Sequence, residues 1–202
     1  MNYLAHLYLA GTSSADRVGG LMGDFVKGPL PGRLPQPLAD GVALHRAIDA
    51  WAEGHPAFRA SRARVSTARR RVSGIMVDLF YDHFLALHWT RFVPRPLEAF
   101  ARDAYAEVAR EARWLPEPLA AVLPAMQRHD WLSSYRDPAN VAFALERMAE
   151  RRLRQPNPLA GGGAELGERY GEFEADFLAF LPDARAFADD WRARRDAGRG
   201  AG

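Results

Sequence analysis

The chain has 202 residues, of which 48% are hydrophobic and 26% are charged, and its formal net charge is only +2. These values are ordinary for one soluble globular domain that is long enough to bury a core. Cysteine is absent, which excludes disulfides, thiolate zinc sites and a cysteine nucleophile and fits the reducing cytoplasm, where we expect the protein.

Helical patterns follow one another along the chain, separated by short segments rich in proline and glycine. The start of the chain has no basic segment typical of a signal peptide, and no apolar run is long enough to span a membrane. Alternating strand patterns are absent, so we predict an all-α protein with one compact multi-helix domain over residues 1–195 and a flexible tail over residues 196–202. The predicted helices cover residues 14–27, 38–53, 57–70, 73–91, 97–113, 117–135, 139–153, 164–180 and 183–195.

The helix predicted over residues 73–91 contains GIMVDLFYDHFLALHW, a segment that is apolar on every side. Such a helix is expected to be buried, yet it carries Asp78, Asp82 and His83. Asp78 and Asp82 are four residues apart and therefore project from one face. Carboxylates that lie close together in apolar surroundings need a shared proton, arginine partners or a metal ion.

Two other segments favour the metal ion. Asp24 lies among glycines in GGLMGDFVKG, and LHRAID places His45 four residues before Asp49. Carboxylate oxygens and imidazole nitrogens without sulfur suit Mn²⁺, Fe²⁺ or Mg²⁺. We therefore expect a divalent ion, manganese by preference, and the candidate ligands are Asp24, His45, Asp78, Asp82 and His83.

An arginine-rich stretch lies between two of these segments. Residues 58–71 hold six arginines and no acid, which favours an acidic partner, although a solvated helix face gives the same pattern. No aromatic residue interleaves the arginines from residue 59 to residue 71, so we expect no nucleic-acid binding. The candidate partner-binding residues are Arg62, Arg69, Arg70 and Arg71.

Six segments, taken in order, resemble the acyl carrier protein phosphodiesterase family. They are MNYLAHLYLA, GDFVKG, LHRAID, VDLFYDHFLALHW, WLSSYRD and ALERMAERR, and the resemblance runs to about residue 182. It implies an HD-domain-like helical fold, because this family is described as a rearranged relative of the HD-domain metal-dependent phosphohydrolases. In HD domains an adjacent His-Asp pair helps bind the metal, whereas the adjacent pair here has the reverse order, Asp82-His83.

The resemblance also implies a reaction, usually supported by manganese and connected with fatty acid biosynthesis and lipid metabolism. It is hydrolysis of the phosphodiester between 4′-phosphopantetheine and a serine of holo-acyl carrier protein, a small acidic protein that would bind the arginine-rich stretch. Under this hypothesis His83 is a metal ligand or a general acid or base, and Arg46 and Lys27 bind the phosphate. Asp49 and His6 would support the ligands from behind.

Two alternatives stay open. An HD-type hydrolase of nucleotides or other small phosphodiesters would need the same metal site. A non-catalytic helical binding module would use the acids only in pairs with arginine.

Overall fold

The computed structural model describes residues 1–152 and 157–200, with side chains for residues 1–150 and 157–199. The described residues are helical and contain no strand, which confirms the all-α prediction, while the HD-like arrangement within that class stays a prediction. No helix among them is both long and apolar enough to cross a membrane. The α-helices are α1 (Tyr3–Leu9), α2 (Ser14–Met22), α3 (Gln36–Gly54), α4 (Pro56–Arg64), α5 (Ser73–Leu87), α6 (Trp89–Phe92), α7 (Leu97–Arg110), α8 (Glu117–Arg128), α9 (Trp131–Ser134), α10 (Pro138–Arg152), α11 (Gly163–Glu168) and α12 (Tyr170–Gly200), with 3₁₀ helices at Thr67–Val72 and Ala112–Trp114.

Several predicted boundaries differ from the structure: the helix predicted over residues 14–27 ends at Met22, and those predicted over residues 73–91, 117–135 and 164–180 are each divided in two. The helix predicted over residues 57–70 ends at Arg64, because Val65 is extended and buried in the core. The two helices predicted over residues 164–180 and 183–195 do not meet at a break, since Pro182 lies inside α12. Buried aromatic side chains before this proline and buried alanines after it hold α12 against the core, which offsets the hydrogen bond that proline removes.

The C-terminal end of α12 packs back onto the N-terminal helices. Arg195 donates two hydrogen bonds to the carboxylate of Asp16, at 2.6 and 3.0 Å, and Arg199 pairs with Asp40 of α3. Residues 196–200 belong to the predicted tail and continue α12, while the division of the chain into domain and tail stays a prediction. Residues 201–202 lie outside the described part of the chain.

The core places α5 against α1, α4, α10 and α12. Most side chains of α5 are buried, as its all-round apolar pattern predicts. Beside it, α2 and α3 cross so closely that a Cβ atom on Gly19 would lie 2.6 Å from the Cα atom of Gly41. This crossing brings the end of α2 against the middle of α3, where the LHRAID segment lies.

Candidate active site

Three side chains from α1 and α3 meet at one end of this crossing. The Nε2 atom of His6 lies 3.1 Å from Oδ1 of Asp49, and the Nε2 atom of His45 lies 3.1 Å from Oδ2 of the same carboxylate. One ligand atom of each of the three residues lies within 4.8 Å of the others, and no second trio of His, Asp or Glu in the described ranges has this geometry. The cluster therefore offers the ligand atoms that a divalent ion needs.

Two further carboxylates adjoin the cluster. Oδ1 of Asp24, in the loop after α2, lies 3.5 Å from Nε2 of His45. The amino group of Met1 lies 3.0 Å from Oδ1 of Asp49 and 3.0 Å from Oδ1 of Asp78 in α5. Because a positively charged nitrogen lies between Asp49 and Asp78, these two carboxylates are placed so that they can share one cation.

The backbone determines the orientation of the His45 ring. Its Nδ1–H donates to the carbonyl oxygen of Gly20 at 2.8 Å, so the Nε2 atom faces the carboxylates of Asp24 and Asp49. In a neutral ring this atom would point a lone pair at two anions, and the arrangement is favourable only when a proton or a metal ion lies between them. The ring is buried and stacks on the His6 ring with centroids 3.6 Å apart.

Gly23 at the end of α2 leaves room for that ring. A Cβ atom on Gly23 would lie 2.1 Å from Cγ of His45 and 2.4 Å from its Nδ1, closer than real Cβ contacts come. The backbone at Gly23 is ordinary helix, with φ −53° and ψ −43°. The glycine is therefore required here by the close approach of the imidazole and by no special dihedral angle.

Burial and charge move the pKa values of the cluster in opposite directions. Burial lowers the pKa of His45, but hydrogen bonds and charges from Asp24 and Asp49 outweigh it and raise that pKa to about 9. Burial and the neighbouring charge of His45 lower the pKa of His6 to about 4. Burial alone would raise the pKa of Asp49, yet hydrogen bonds from both imidazoles bring it well below the usual range. For Asp78, burial prevails and raises the pKa.

A cavity of about 370 Å³ opens beside the three carboxylates. Lys27 lines it, and the Nζ atom of this lysine donates to the main-chain oxygen of Asp24 at 2.7 Å, leaving its charge unpaired with any described carboxylate. Asp24, Asp49 and Asp78 share the lining with Met1, Asn2, Tyr3, Ile75, Leu79 and Met148. The cavity thus has an ionic part and an apolar part.

Asp82 and His83 contact other groups. Asp82 is 0% exposed, and its two oxygens accept hydrogen bonds from the main-chain N–H groups of Leu4 and Ala5, both at 2.9 Å. Burial raises the Asp82 pKa to about 7 in spite of these donors. The ring of His83 lies 2.8 Å from the carbonyl oxygen of Tyr135 and 2.7 Å from the hydroxyl of Tyr170. Neither Asp82 nor His83 lines the cavity.

Arg46 uses its guanidinium group on the loop that carries Asp24 and Lys27. Its two terminal nitrogens donate to the carbonyl oxygens of Val26 and Gly28, each at 2.9 Å. The side chain therefore braces the loop from behind. Of the two predicted phosphate-binding residues, Lys27 lines the cavity and Arg46 supports it.

The arginine-rich stretch divides into two groups. In the first group Arg62 pairs with Glu53 and donates to the Ser73 hydroxyl. Arg64 pairs with Asp176 at 2.7 Å and Arg69 with Glu165 at 3.0 Å. The exposed residues Arg59, Arg70 and Arg71 make no ion pair with a described residue. Of the four predicted partner-binding arginines, Arg70 and Arg71 thus carry unpaired charge. Absence of nucleic-acid binding stays a prediction.

Some site residues lay outside the sequence-based prediction or had a lesser role in it. Asp49 and His6, predicted to lie behind the ligands, are members of the cluster itself. The i, i+4 spacing of His45 and Asp49 was the available signal for Asp49. The glycines around Asp24 were the available signal for a close approach at Gly23. The apolar lining carries no signal in one sequence, because its role depends on contacts between distant segments.

Comparison of the sequence with known proteins identifies relatives of this chain. The acyl carrier protein phosphodiesterase family profile matches residues 1–184. The acyl carrier protein phosphodiesterase of Photorhabdus laumondii is 34% identical over 183 residues, covering 90% of this chain and 92% of that protein. Those of Pectobacterium atrosepticum and Serratia proteamaculans are each 33% identical, covering 90% and 94% of this chain and 94% and 98% of their own lengths. No solved structure matches the chain.

Proposed function

The chain belongs to the acyl carrier protein phosphodiesterase family and is therefore a hydrolase, and we propose that it removes 4′-phosphopantetheine from a serine of holo-acyl carrier protein. The products are apo-acyl carrier protein and free 4′-phosphopantetheine. The observation that carries the proposal is the convergence of His6, His45 and Asp49 beside a cavity lined by carboxylates. We also propose a cytoplasmic location and a connection with fatty acid biosynthesis.

The donor atoms around the cavity fit a divalent metal ion. We propose that Asp24, His45, Asp49 and Asp78 hold it together with His6. The hydrogen bond to Gly20 fixes the His45 ring with its Nε2 atom towards the carboxylates, and oxygen-rich sets with imidazole suit Mn²⁺ first, with Fe²⁺ or Mg²⁺ as alternatives. When bound, such an ion lowers the pKa of a coordinated water and polarises a phosphoryl oxygen.

The charge of the cavity supports both the ion and a role for Lys27. An anionic phosphodiester that enters meets the carboxylates of Asp24, Asp49 and Asp78. The Met1 amino group and the His45 ring offset part of their negative charge, and a bound metal ion would offset the rest and attract the phosphate. Lys27 is the lining side chain whose charge is not paired with a described carboxylate, so its ammonium group is available to bind the phosphate oxygens. Arg46 keeps the loop of Lys27 in place.

Asp82 and His83 have structural roles in this proposal. Asp82 holds the first turn of α1, which carries His6, through two main-chain hydrogen bonds. His83 ties α5 to Tyr135 and Tyr170. Both residues therefore position the elements around the cavity without touching the reacting atoms.

The binding-module alternative requires arginine partners for the cavity acids. Within the described side chains, no arginine pairs with Asp24, Asp49 or Asp78. These acids meet the Met1 amino group and the His45 ring instead, so they are not the acid–arginine pairs that the binding-module alternative requires. A hydrolase of small phosphodiesters shares the metal site, and only the choice of substrate separates it from the proposal.

The exposed arginines supply a surface for the acidic carrier protein. Arg70 and Arg71 lie just before α5, and Asp78 lies five residues after the first residue of that helix. At the rise of an α-helix this separation is roughly 7–8 Å along the axis. A carrier protein bound at Arg70 and Arg71 would then have its modified serine within reach of the cavity.

The reaction is tested by incubating the purified protein with holo-acyl carrier protein and Mn²⁺ and weighing the carrier protein by mass spectrometry. We expect loss of one phosphopantetheine group, no loss in EDTA, and no loss with Asp49→Asn. The control Asp183→Asn removes an acid far along the sequence on α12 and should behave as the wild type. If holo-acyl carrier protein keeps its mass in the presence of Mn²⁺, the proposed reaction is overturned. If Asp49→Asn is fully active, the proposed set of metal ligands is overturned.

The docking surface needs a separate comparison. The double variant Arg70→Glu, Arg71→Glu should raise KM for holo-acyl carrier protein several-fold more than KM for bis(p-nitrophenyl) phosphate. The pair Arg110→Glu, Arg128→Glu makes the same change of charge on other exposed arginines and is the control. Equal increases for both substrates, or equal increases in both variants, would show that Arg70 and Arg71 do not recognise the carrier.

A further inference from the structure

The apolar part of the cavity lining comes from two helices. Ile75 and Leu79 lie one turn apart on α5, and Met148 reaches the cavity from α10. Leu79 is 1% exposed, while Ile75 and Met148 are half-buried and pack against the core from its edge. Ile75 and Met148 therefore keep apolar surface that a ligand in the cavity can cover.

The apolar surface adjoins the ionic part along α5. Asp78 follows Ile75 by three residues and precedes Leu79 by one, and helical residues three apart are neighbours on the surface. All three line the same cavity. A ligand whose phosphate lies at Asp78 would thus place the groups next to the phosphate against Ile75, Leu79 and Met148.

This juxtaposition selects among phosphodiesters. In 4′-phosphopantetheine a carbon with two methyl groups lies one methylene away from the phosphate oxygen. In glycerol esters and nucleotide 5′-esters the carbon at that position carries an oxygen atom, as a hydroxyl or as part of the sugar ring. Resting on the proposed function, we propose that Ile75, Leu79 and Met148 form a specificity subsite for this dimethyl carbon. The unbranched Met148 side chain adapts its shape to the two methyl groups, and Ile75 and Leu79 form the more rigid wall.

The subsite predicts a preference that can be measured with matched substrates. Removing both methyl groups from the arm of holo-acyl carrier protein should lower kcat/KM about tenfold, since each buried methyl-sized group contributes about 0.8 kcal/mol. Met148→Gln, which keeps the length of the side chain and makes it polar, should bring the ratio of kcat/KM between the two arms close to one, and Ile75→Thr should reduce it. Phe143→Ser, a change on the same helix at a side chain that is 65% exposed and outside the cavity lining, should leave the ratio at its wild-type value.

A binding measurement separates this proposal from the proposed reaction. With ¹³C-methyl-labelled methionine, addition of 4′-phosphopantetheine should shift the methyl signal that is missing in Met148→Gln, and the arm without methyl groups should shift it less. If this shift occurs but no carrier protein is cleaved, the subsite stands and the reaction is overturned. If the carrier is cleaved but the two arms react equally, or Met148→Gln keeps the wild-type ratio, the subsite is overturned and the reaction stands. Absence of both the shift and the cleavage overturns both.

Discussion

Replacement of Gly23 by alanine tests whether the position of the His45 ring determines activity. The new Cβ atom would lie 2.1 Å from Cγ of His45, so the ring must retreat by about 0.9 Å to reach even 3.0 Å, below which Cβ contacts essentially do not occur. The ring cannot retreat freely, because it stacks on His6 and donates to Gly20. Misplacement of a reacting group by 1 Å costs on the order of 100-fold in rate, and forcing extra volume into a packed site costs about 1–3 kcal/mol of stability.

The sign of the stability change identifies the cause. The dihedral angles of Gly23 are helical, so without the clash alanine would stabilise the protein by about 0.4–1 kcal/mol. We therefore expect Gly23→Ala to lower the free energy of unfolding in the wild type and to raise it in a His45→Ala background, measured by urea denaturation. Gly74→Ala, whose Cβ would meet nothing within 4 Å, is the control and should be neutral or stabilising in both. Wild-type activity of Gly23→Ala, or the same destabilisation in both backgrounds, would refute the reasoning.

Three other changes probe the surroundings of the site. Asp82→Ala leaves two buried N–H groups of α1 without acceptors. It should lower the free energy of unfolding, measured by urea denaturation, by up to about 1–3 kcal/mol for each group, and an unchanged stability would contradict the structural role of Asp82. Hydrogen bonds from Ser66 and Arg69 outweigh the effect of burial and lower the pKa of Glu165. The ionised Glu165 carboxylate therefore stabilises the folded state above the ordinary glutamate pKa, and this contribution is lost as the pH falls through the lowered pKa. The difference in Tm between wild type and Glu165→Gln should thus shrink from roughly pH 7 towards pH 3, and a constant difference would be the contrary result. Arg46→Ala should speed amide hydrogen exchange in residues 24–28, and exchange at the wild-type rate would show that the brace is dispensable.

The fold class was predictable because the helical signals are local. Apolar periodicity and proline-glycine segments located the helices, and the all-round apolar pattern identified α5 as the buried element. The continuous α12 was not predictable, since a proline normally ends a helix and only the tertiary packing around Pro182 keeps this one intact. The ion pairs of Arg195 and Arg199 with α2 and α3 are equally invisible to local patterns, and they hold the last turns of α12 in place.

The sequence predicted the types of residue at the candidate site better than it predicted which individual residues form the cluster. Of the predicted ligands, Asp24 and Asp78 line the cavity and His45 lies beside Asp24, while their role as ligands stays a prediction. His6 was harder to place, because one histidine on an apolar helix is usually a core residue. Its position depends on Asp82, seventy-six residues away along the chain, holding the first turn of α1 against α5.

Asp78 and Asp82 show why spacing alone cannot assign roles to acids on one helix. Both are within α5 and one turn apart, and burial raises the pKa of each. Asp82 meets two main-chain N–H groups that occupy both of its oxygens, whereas Oδ1 of Asp78 meets a cationic nitrogen at the edge of a cavity. Asp82 is fully buried away from the cavity, and both of its oxygens already accept main-chain hydrogen bonds. Its removal should therefore lower the stability of the fold. Removal of an acid that shares a cation with Asp49 should instead reduce metal binding and catalysis. Asp78→Ala should therefore abolish metal-dependent hydrolysis, while circular dichroism shows that the protein is still folded. If Asp78→Ala instead loses the helical signal, and its activity is proportional to the folded fraction, then Asp78 has a structural role like that of Asp82.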